Sequence, residues 1–191
     1  MTEGRSGADT LAMKWIAPFC LLAAPALAQT CPDAPDHSAQ LSEILAELGT
    51  AQSDMAAREL SNGLWELWTD APDATAQELL DEGMSRRSVY DFLGARTVFS
   101  RLIDYCPDYA EGYNQRAFAS FLSEDYEGAL ADLDRTLAII PNHVGALSGK
   151  ALTLIAMGRN AEGQAALRAA VALNPWLQER ALLDPPMGTD L

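Results

Sequence analysis

AEGYNQRAFASFLSEDYEGALADLDRTLAIIPNH, residues 110–143, is the central one of three consecutive 34-residue segments that share a pattern. Pro107, Pro141 and Pro175 stand 34 residues apart, and each follows apolar residues at helical spacing. Proline lacks the backbone N–H of a helix interior and disfavours helical geometry in the residue before it, so each proline marks a helix end. A period of this length predicts a stack of repeated helical units.

The three segments place similar residue types in the same register. In the central segment, the positions that carry the pattern are Tyr113, Ala117, Tyr126, Ala129, Leu133 and Pro141. This set of offsets resembles the tetratricopeptide repeat, a 34-residue helix–turn–helix family. The small residues have a physical role, because two antiparallel helices approach closely only where side chains are small. We therefore predict an all-α fold, a right-handed solenoid of antiparallel helix pairs.

The repeats define the expected organisation of the chain. We predict a signal peptide at 1–28, a linker at 29–37, a degenerate helix pair at 38–75, repeats at 76–109, 110–143 and 144–177, and a C-terminal cap with a disordered tail at 178–191. The degenerate pair is apolar at helical spacing and ends at Pro72. Since each repeat buries its face only against a neighbour, we expect this pair to cap the stack beside the first repeat.

The N-terminal segment predicts export. Met13 and Lys14 precede an apolar run that ends in Ala26-Leu27-Ala28, an A-x-A cleavage site. The run is shorter than the roughly 20 apolar residues of a membrane-spanning helix, although an uncleaved anchor is the alternative. The residues leave open whether Met1 or Met13 is the initiator. We expect a periplasmic protein with no membrane insertion after signal cleavage.

The cysteines indicate a disulfide. Removal of the signal segment also removes Cys20 and leaves Cys31 and Cys106, an even pair in an oxidising compartment. We predict that these two are bridged. The alternative is a buried Cys106 that behaves as a small apolar residue, with Cys31 free in a mobile tail.

The resemblance to tetratricopeptide repeats also implies a binding groove. In that family, positions two, five, nine, twelve and thirteen of each leading helix form a concave surface that commonly holds peptides of partner proteins. The candidate groove residues carried over from this pattern are Arg87, Glu111, Asn114, Phe118, Phe121, Ser148 and Leu152. Phe118 and Phe121 are the expected anchors for apolar partner side chains. The alternative is that both rings pack between the repeats.

Known catalytic and nucleotide-binding motifs are missing from the sequence. GALSGKA, residues 145–151, is not a phosphate-binding loop, because Gly145 and Gly149 are too close together and Ala151 has no hydroxyl for a magnesium ion. No HExxH, GxSxG or paired CxxC occurs. We therefore predict no catalytic residues, no metal and no cofactor.

Charge narrows the choice of partner. The chain has 27 acidic and 13 basic side chains and a formal charge of −14, which disfavours nucleic acid and anionic membrane surfaces. We expect a non-enzymatic periplasmic module that binds a client or assembly partner. The alternative is an accessory or metal-handling factor of an envelope enzyme that uses the segment from Cys31 to His37, which also contains Asp33 and Asp36.

Overall fold

The computed structural model describes residues 30–185, so the predicted signal segment and the end of the predicted tail lie outside the described residues. Eight α-helices follow one another there: α1 Ser38–Thr50, α2 Asp54–Trp68, α3 Ala74–Ser88, α4 Phe92–Tyr105, α5 Ala110–Leu122, α6 Tyr126–Ile139, α7 Val144–Ala156 and α8 Asn160–Leu173. A short 3-10 helix, Gln178–Leu182, comes last. Consecutive helices from α3 to α8 pack side by side, which confirms the predicted all-α helix-pair solenoid. None of the described helices has the length and apolar character of a membrane span.

The turn inside each repeat uses the same backbone conformation. Tyr90, Glu124 and Gly158, which are 34 residues apart, all have positive φ angles of 67°, 62° and 76°. This left-handed geometry ends the leading helix and suits glycine, whereas other residues adopt it at a cost. Asp91 and Asp125 follow at once and cap the next helix by accepting a backbone N–H bond.

Small residues set the distance between the two helices of a repeat, as the register predicted. A Cβ atom added to Gly83 would lie 2.3 Å from the ring of Phe99, which is fully buried. One added to Gly163 would lie 2.7 Å from a side-chain carbon of Ile155 and 3.0 Å from the carbonyl oxygen of Ala151. Both helix pairs therefore depend on the missing side chain.

Ala129 occupies the equivalent position in the central repeat and has no exposed surface. We expect Ala129→Leu to overpack the contact of α5 with α6 and to lower the free energy of unfolding by about 1–3 kcal/mol. Urea unfolding followed by circular dichroism measures this change. Ala131→Leu, on the exposed face of the same helix, is the matched control and is expected to have little effect. Equal stability of both variants would contradict the assigned register.

The N-terminal helix pair does not pack as the sequence predicted. This pair, α1 and α2, is called the N-terminal hairpin below. Instead of capping the first repeat, it shares a hydrophobic cluster with the last one, in which Leu48 and Leu64 meet Val144 and partly buried Trp176. Helix α1 contacts α8 directly. The expected cap is therefore wrong.

The physical reason lies in the side chains of α2. Close stacking against α3 would require small residues, but α2 ends in LWELW, which contains the bulky Trp65 and Trp68. Rings of this size fill an open floor better than a tight helix contact. In the last repeat, Gly145 and Gly149 leave such a floor, and an added Cβ at Gly145 would lie 4.0 Å from the ring of Trp68.

Three further contacts join the hairpin segment to the array. The Tyr109 hydroxyl donates to the carbonyl oxygen of Trp68 at 2.8 Å, and the Asn174 side chain donates to the Ser61 hydroxyl at 3.4 Å. Ahead of the hairpin, the Sγ atoms of Cys31 and Cys106 lie at bonding distance, 1.99 Å apart. This placement agrees with the disulfide, which stays a prediction until thiols are counted.

Candidate partner-binding cleft

A cleft of about 270 Å³ opens between the N-terminal hairpin and the leading helices of the repeats. Six of the seven candidate groove residues line it: Arg87, Asn114, Phe118, Phe121, Ser148 and Leu152. The register of the repeats brings them together, because equivalent positions of α3, α5 and α7 face the same side of the array. Trp65 of α2 forms part of the wall, and Gly145 and Gly149 lie along α7 where larger residues would fill the space.

Phe118 is the exposed aromatic residue of the cleft. Its side chain is 47% exposed, and the guanidinium of Arg87 lies over its ring at 4.5 Å from the centroid. Phe121 is half-buried instead and its ring lies 5.7 Å from that of Tyr126. Phe118 therefore offers apolar surface to a ligand, while Phe121 contributes more to the packing of its own repeat.

Glu111, the seventh candidate, lies beneath the surface. Its side chain is only 1% exposed and accepts hydrogen bonds from Asn114 at 3.1 Å, from Gln115, and from Nε2 of His143 at 3.0 Å. Nδ1 of His143 accepts a bond from the backbone N–H of Ala146, so the ring proton lies on Nε2. Glu111 is thus a buried acceptor that orients other side chains, and the prediction that it faces the groove is wrong.

Arg87 supplies the positive charge of the cleft. It donates one hydrogen bond to the side-chain oxygen of Gln115, which in turn bonds Glu111. Burial lowers the pKa of Arg87, and attraction to the Glu111 carboxylate opposes this shift. The guanidinium stays charged at neutral pH, because arginine starts from a very high pKa. The buried network therefore holds a cation against the aromatic wall.

Ser148 contributes an unused polar atom. The residue is 6% exposed, and its hydroxyl oxygen is buried with no hydrogen-bond partner. By contrast, Thr153 of the same helix donates to the carbonyl oxygen of Gly149 at 2.8 Å. A buried polar group without a partner is uncommon in folded proteins and calls for a specific explanation.

Comparison with known proteins addresses the family. No family model matches the chain. A TPR repeat-containing protein of Rhizobium etli is 29% identical over 127 residues, which cover 63% of this chain and 59% of that protein. The Tetratricopeptide repeat protein 36 homolog of Nematostella vectensis is 36% identical over 76 residues, 40% of this chain and 41% of the homolog. The chain thus spans about half the length of these curated relatives.

Solved structures agree with these sequence relatives. The TPR2B domain of yeast Sti1 in its pHsp70 complex has a TM-score of 0.52 and 29% identity, covering 53% of this chain and 81% of that one. The fold is a tetratricopeptide-repeat array. The first TPR of Spaghetti (RPAP3), bound to the HSP90 peptide SRMEEVD, shares this fold with a TM-score of 0.56 at 19% identity, covering 58% of this chain and 88% of that one. The names of the two curated relatives support the tetratricopeptide-repeat family.

Sequence reasoning missed the residues that reach the cleft from outside the tetratricopeptide repeats. Trp65 comes from the N-terminal hairpin, and Leu177 and Glu179 come from the segment after α8. The repeat pattern assigns no position to any of the three. The pair of tryptophans in LWELW was the available signal, since an amphipathic helix with such bulky apolar residues must bury them somewhere.

The alternative metal site finds no ligand set in the described part of the tetratricopeptide-repeat protein. Cys31 lies at bonding distance from Cys106, and Nε2 of His37 contacts a carboxylate oxygen of Asp70 at 2.8 Å. Residues 30–185 contain no group of three or more histidine, cysteine, aspartate or glutamate side chains placed to hold a metal ion. The segment from Cys31 to His37 instead joins the hairpin to the array.

Proposed function

We propose that this protein is an exported interaction module whose cleft binds a segment of a client or assembly partner in the periplasm. The observation that carries the proposal is the exposed ring of Phe118 beside Arg87. Trp65 and Leu122 are also exposed large apolar residues, and Trp65 lines the same cleft. Clustered apolar side chains around a few fixed polar groups are typical of protein-binding hot spots.

The likeness to other repeat proteins supports this function. The TPR2B domain of yeast Sti1, 29% identical to this chain, forms a complex with pHsp70. That domain covers α-helical repeats of the same kind, so binding of a partner segment is compatible with the architecture. The identity of the partner is a separate question, because the side chains on the concave face differ between arrays.

Export rests on the sequence of the first 28 residues, which has a basic start, an apolar run and an A-x-A site. Mass spectrometry of the protein recovered from a periplasmic fraction tests it. We expect a mature chain that begins at Gln29. An uncleaved chain in the membrane or cytoplasmic fraction would contradict the proposed location.

We expect Phe118→Ala to weaken binding of a partner about 30-fold, because truncation of an aromatic hot spot costs about 2 kcal/mol or more. A partner recovered from periplasmic extract would be purified and its affinity measured by calorimetry for wild type and variant. Leu93→Ala is the matched control, since Leu93 is 75% exposed and does not line the cleft.

Thermal unfolding of both variants accompanies the binding measurement. Because Phe118 is half exposed, its truncation should leave the helical array folded with a melting temperature near that of wild type. A partner that binds Phe118→Ala as tightly as wild type would place the interaction on another surface. A large drop in melting temperature would instead show that Phe118 belongs to the core.

A further inference from the structure

The open part of the cleft has the size of one large side chain. Its volume of about 270 Å³ equals about nine water molecules at roughly 30 Å³ each, below the roughly 300–1,000 Å³ typical of ligand pockets. The N-terminal hairpin covers the adjoining floor, where the ring of Trp68 stacks on that of His143 at a centroid distance of 3.9 Å. A long peptide therefore has little room along the array, whereas one anchoring residue fits.

The chemistry of the lining selects the anchor. Trp65 and Phe118 offer ring surfaces, against which another aromatic ring packs favourably. The buried hydroxyl of Ser148 has no partner and can donate to or accept from a polar atom of a ligand. Tyrosine supplies both a ring and a hydroxyl group. This combination would leave the site without an unsatisfied buried oxygen.

Charge selects the residues around the anchor. The chain carries a formal charge of −14, and within residues 30–185 most arginines already pair with carboxylates, as in the two-pronged contact of Arg116 with Asp132. At the cleft, the charge of Arg87 is opposed by Glu179 on the lining and by buried Glu111 nearby. An acidic segment would meet net repulsion, whereas a basic one would be attracted over a distance of about 8–10 Å.

Resting on the proposed function, we infer that the partner segment presents one tyrosine to the cleft and carries basic residues on either side of it. The tyrosine ring packs between Trp65 and Phe118, and its hydroxyl pairs with Ser148. The flanking basic side chains stay at the acidic surface of the protein. This specificity differs in charge from that of the first TPR of RPAP3, whose bound peptide SRMEEVD is acidic.

Fluorescence anisotropy with four dye-labelled peptides tests the inference on the protein without its predicted signal segment. The probes are the synthetic sequences GKGYGKG, GKGFGKG and GKGAGKG, and the acidic peptide SRMEEVD. We expect the tyrosine peptide to bind tightest and the phenylalanine peptide up to about tenfold more weakly, as one hydrogen bond is lost. The alanine and acidic peptides should bind far more weakly, and added salt should reduce affinity for the tyrosine peptide.

Ser148→Ala isolates the role of the hydroxyl. This variant should bind the tyrosine and phenylalanine peptides equally, with the phenylalanine affinity unchanged from wild type. Its melting temperature should not fall, because the hydroxyl makes no hydrogen bond in the protein. Ser42→Ala, outside the cleft, should keep the wild-type preference for tyrosine.

The outcomes separate the inference from the proposed function. Tighter binding of SRMEEVD than of the tyrosine peptide, abolished by Phe118→Ala, would overturn the inference and leave the cleft as the binding site. A preference for tyrosine that persists in Ser148→Ala would overturn the assigned hydrogen bond, and failure of the tyrosine peptide to bind would overturn the inference as a whole. Equal affinities of wild type and Phe118→Ala for every peptide that binds would contradict both proposals.

Discussion

Replacing Cys31 and Cys106 together with serine is expected to lower the free energy of unfolding by about 4–5 kcal/mol, less any strain relieved. The two residues are 75 positions apart in sequence, so a bridge between them restricts the unfolded chain strongly. Urea unfolding of wild type and of the double variant, both without the predicted signal segment, measures the difference.

Reduction provides the matched control for this prediction. A reducing agent should destabilise wild type by the same amount and leave the double serine variant unchanged. Thiol titration of denatured, unreduced wild-type protein should find no free thiol. Two thiols for each chain would show that the cysteines are not bridged, and the expected loss of stability would then have no basis.

The second large effect is expected at Glu111. We predict that Glu111→Leu lowers the free energy of unfolding by about 3–5 kcal/mol, as removal of one partner from a buried polar network does. The buried side chains of Gln115 and His143 would both lose their acceptor. Each donor left without a partner adds to the cost. Chemical unfolding at neutral pH checks the value.

Two variants separate the network from the general effect of the substitution. Glu111→Gln keeps one acceptor oxygen and should lose less stability than Glu111→Leu. Glu43→Leu, on the exposed face of α1, should change stability by no more than about 0.5 kcal/mol. If Glu111→Leu is as stable as wild type, apolar packing replaces the network without cost, and the buried polar groups are not needed for folding.

The sequence of this protein determined the repeat architecture because the contacts inside a repeat array are local. Prolines 34 residues apart end helices by backbone geometry alone, and Gly83, Ala129 and Gly163 mark where paired helices touch. These effects act within a unit or between neighbours, so a periodic pattern records them. The same pattern brought Arg87 and Phe118 to one face without any knowledge of the tertiary structure.

Some local features left no such record. Gly158 predicts a left-handed turn, but Tyr90 and Glu124 adopt the same conformation with residues that do not favour it. Glu111 occupies a groove position of the repeat, yet His143, 32 residues later, binds it below the surface. In both cases the surrounding packing overrides what the individual residue would suggest.

The position of the N-terminal hairpin was decided only by the tertiary structure. Sequence shows that α2 must bury its tryptophans, but not where, because several apolar surfaces could receive them. The contact of Ser61 with Asn174 joins residues 113 positions apart, far beyond one repeat period. Such a contact depends on the curvature of the whole array and on the open floor at Gly145 and Gly149. No periodic pattern encodes that shape, so the cleft beside Trp65 emerges only once the chain is folded.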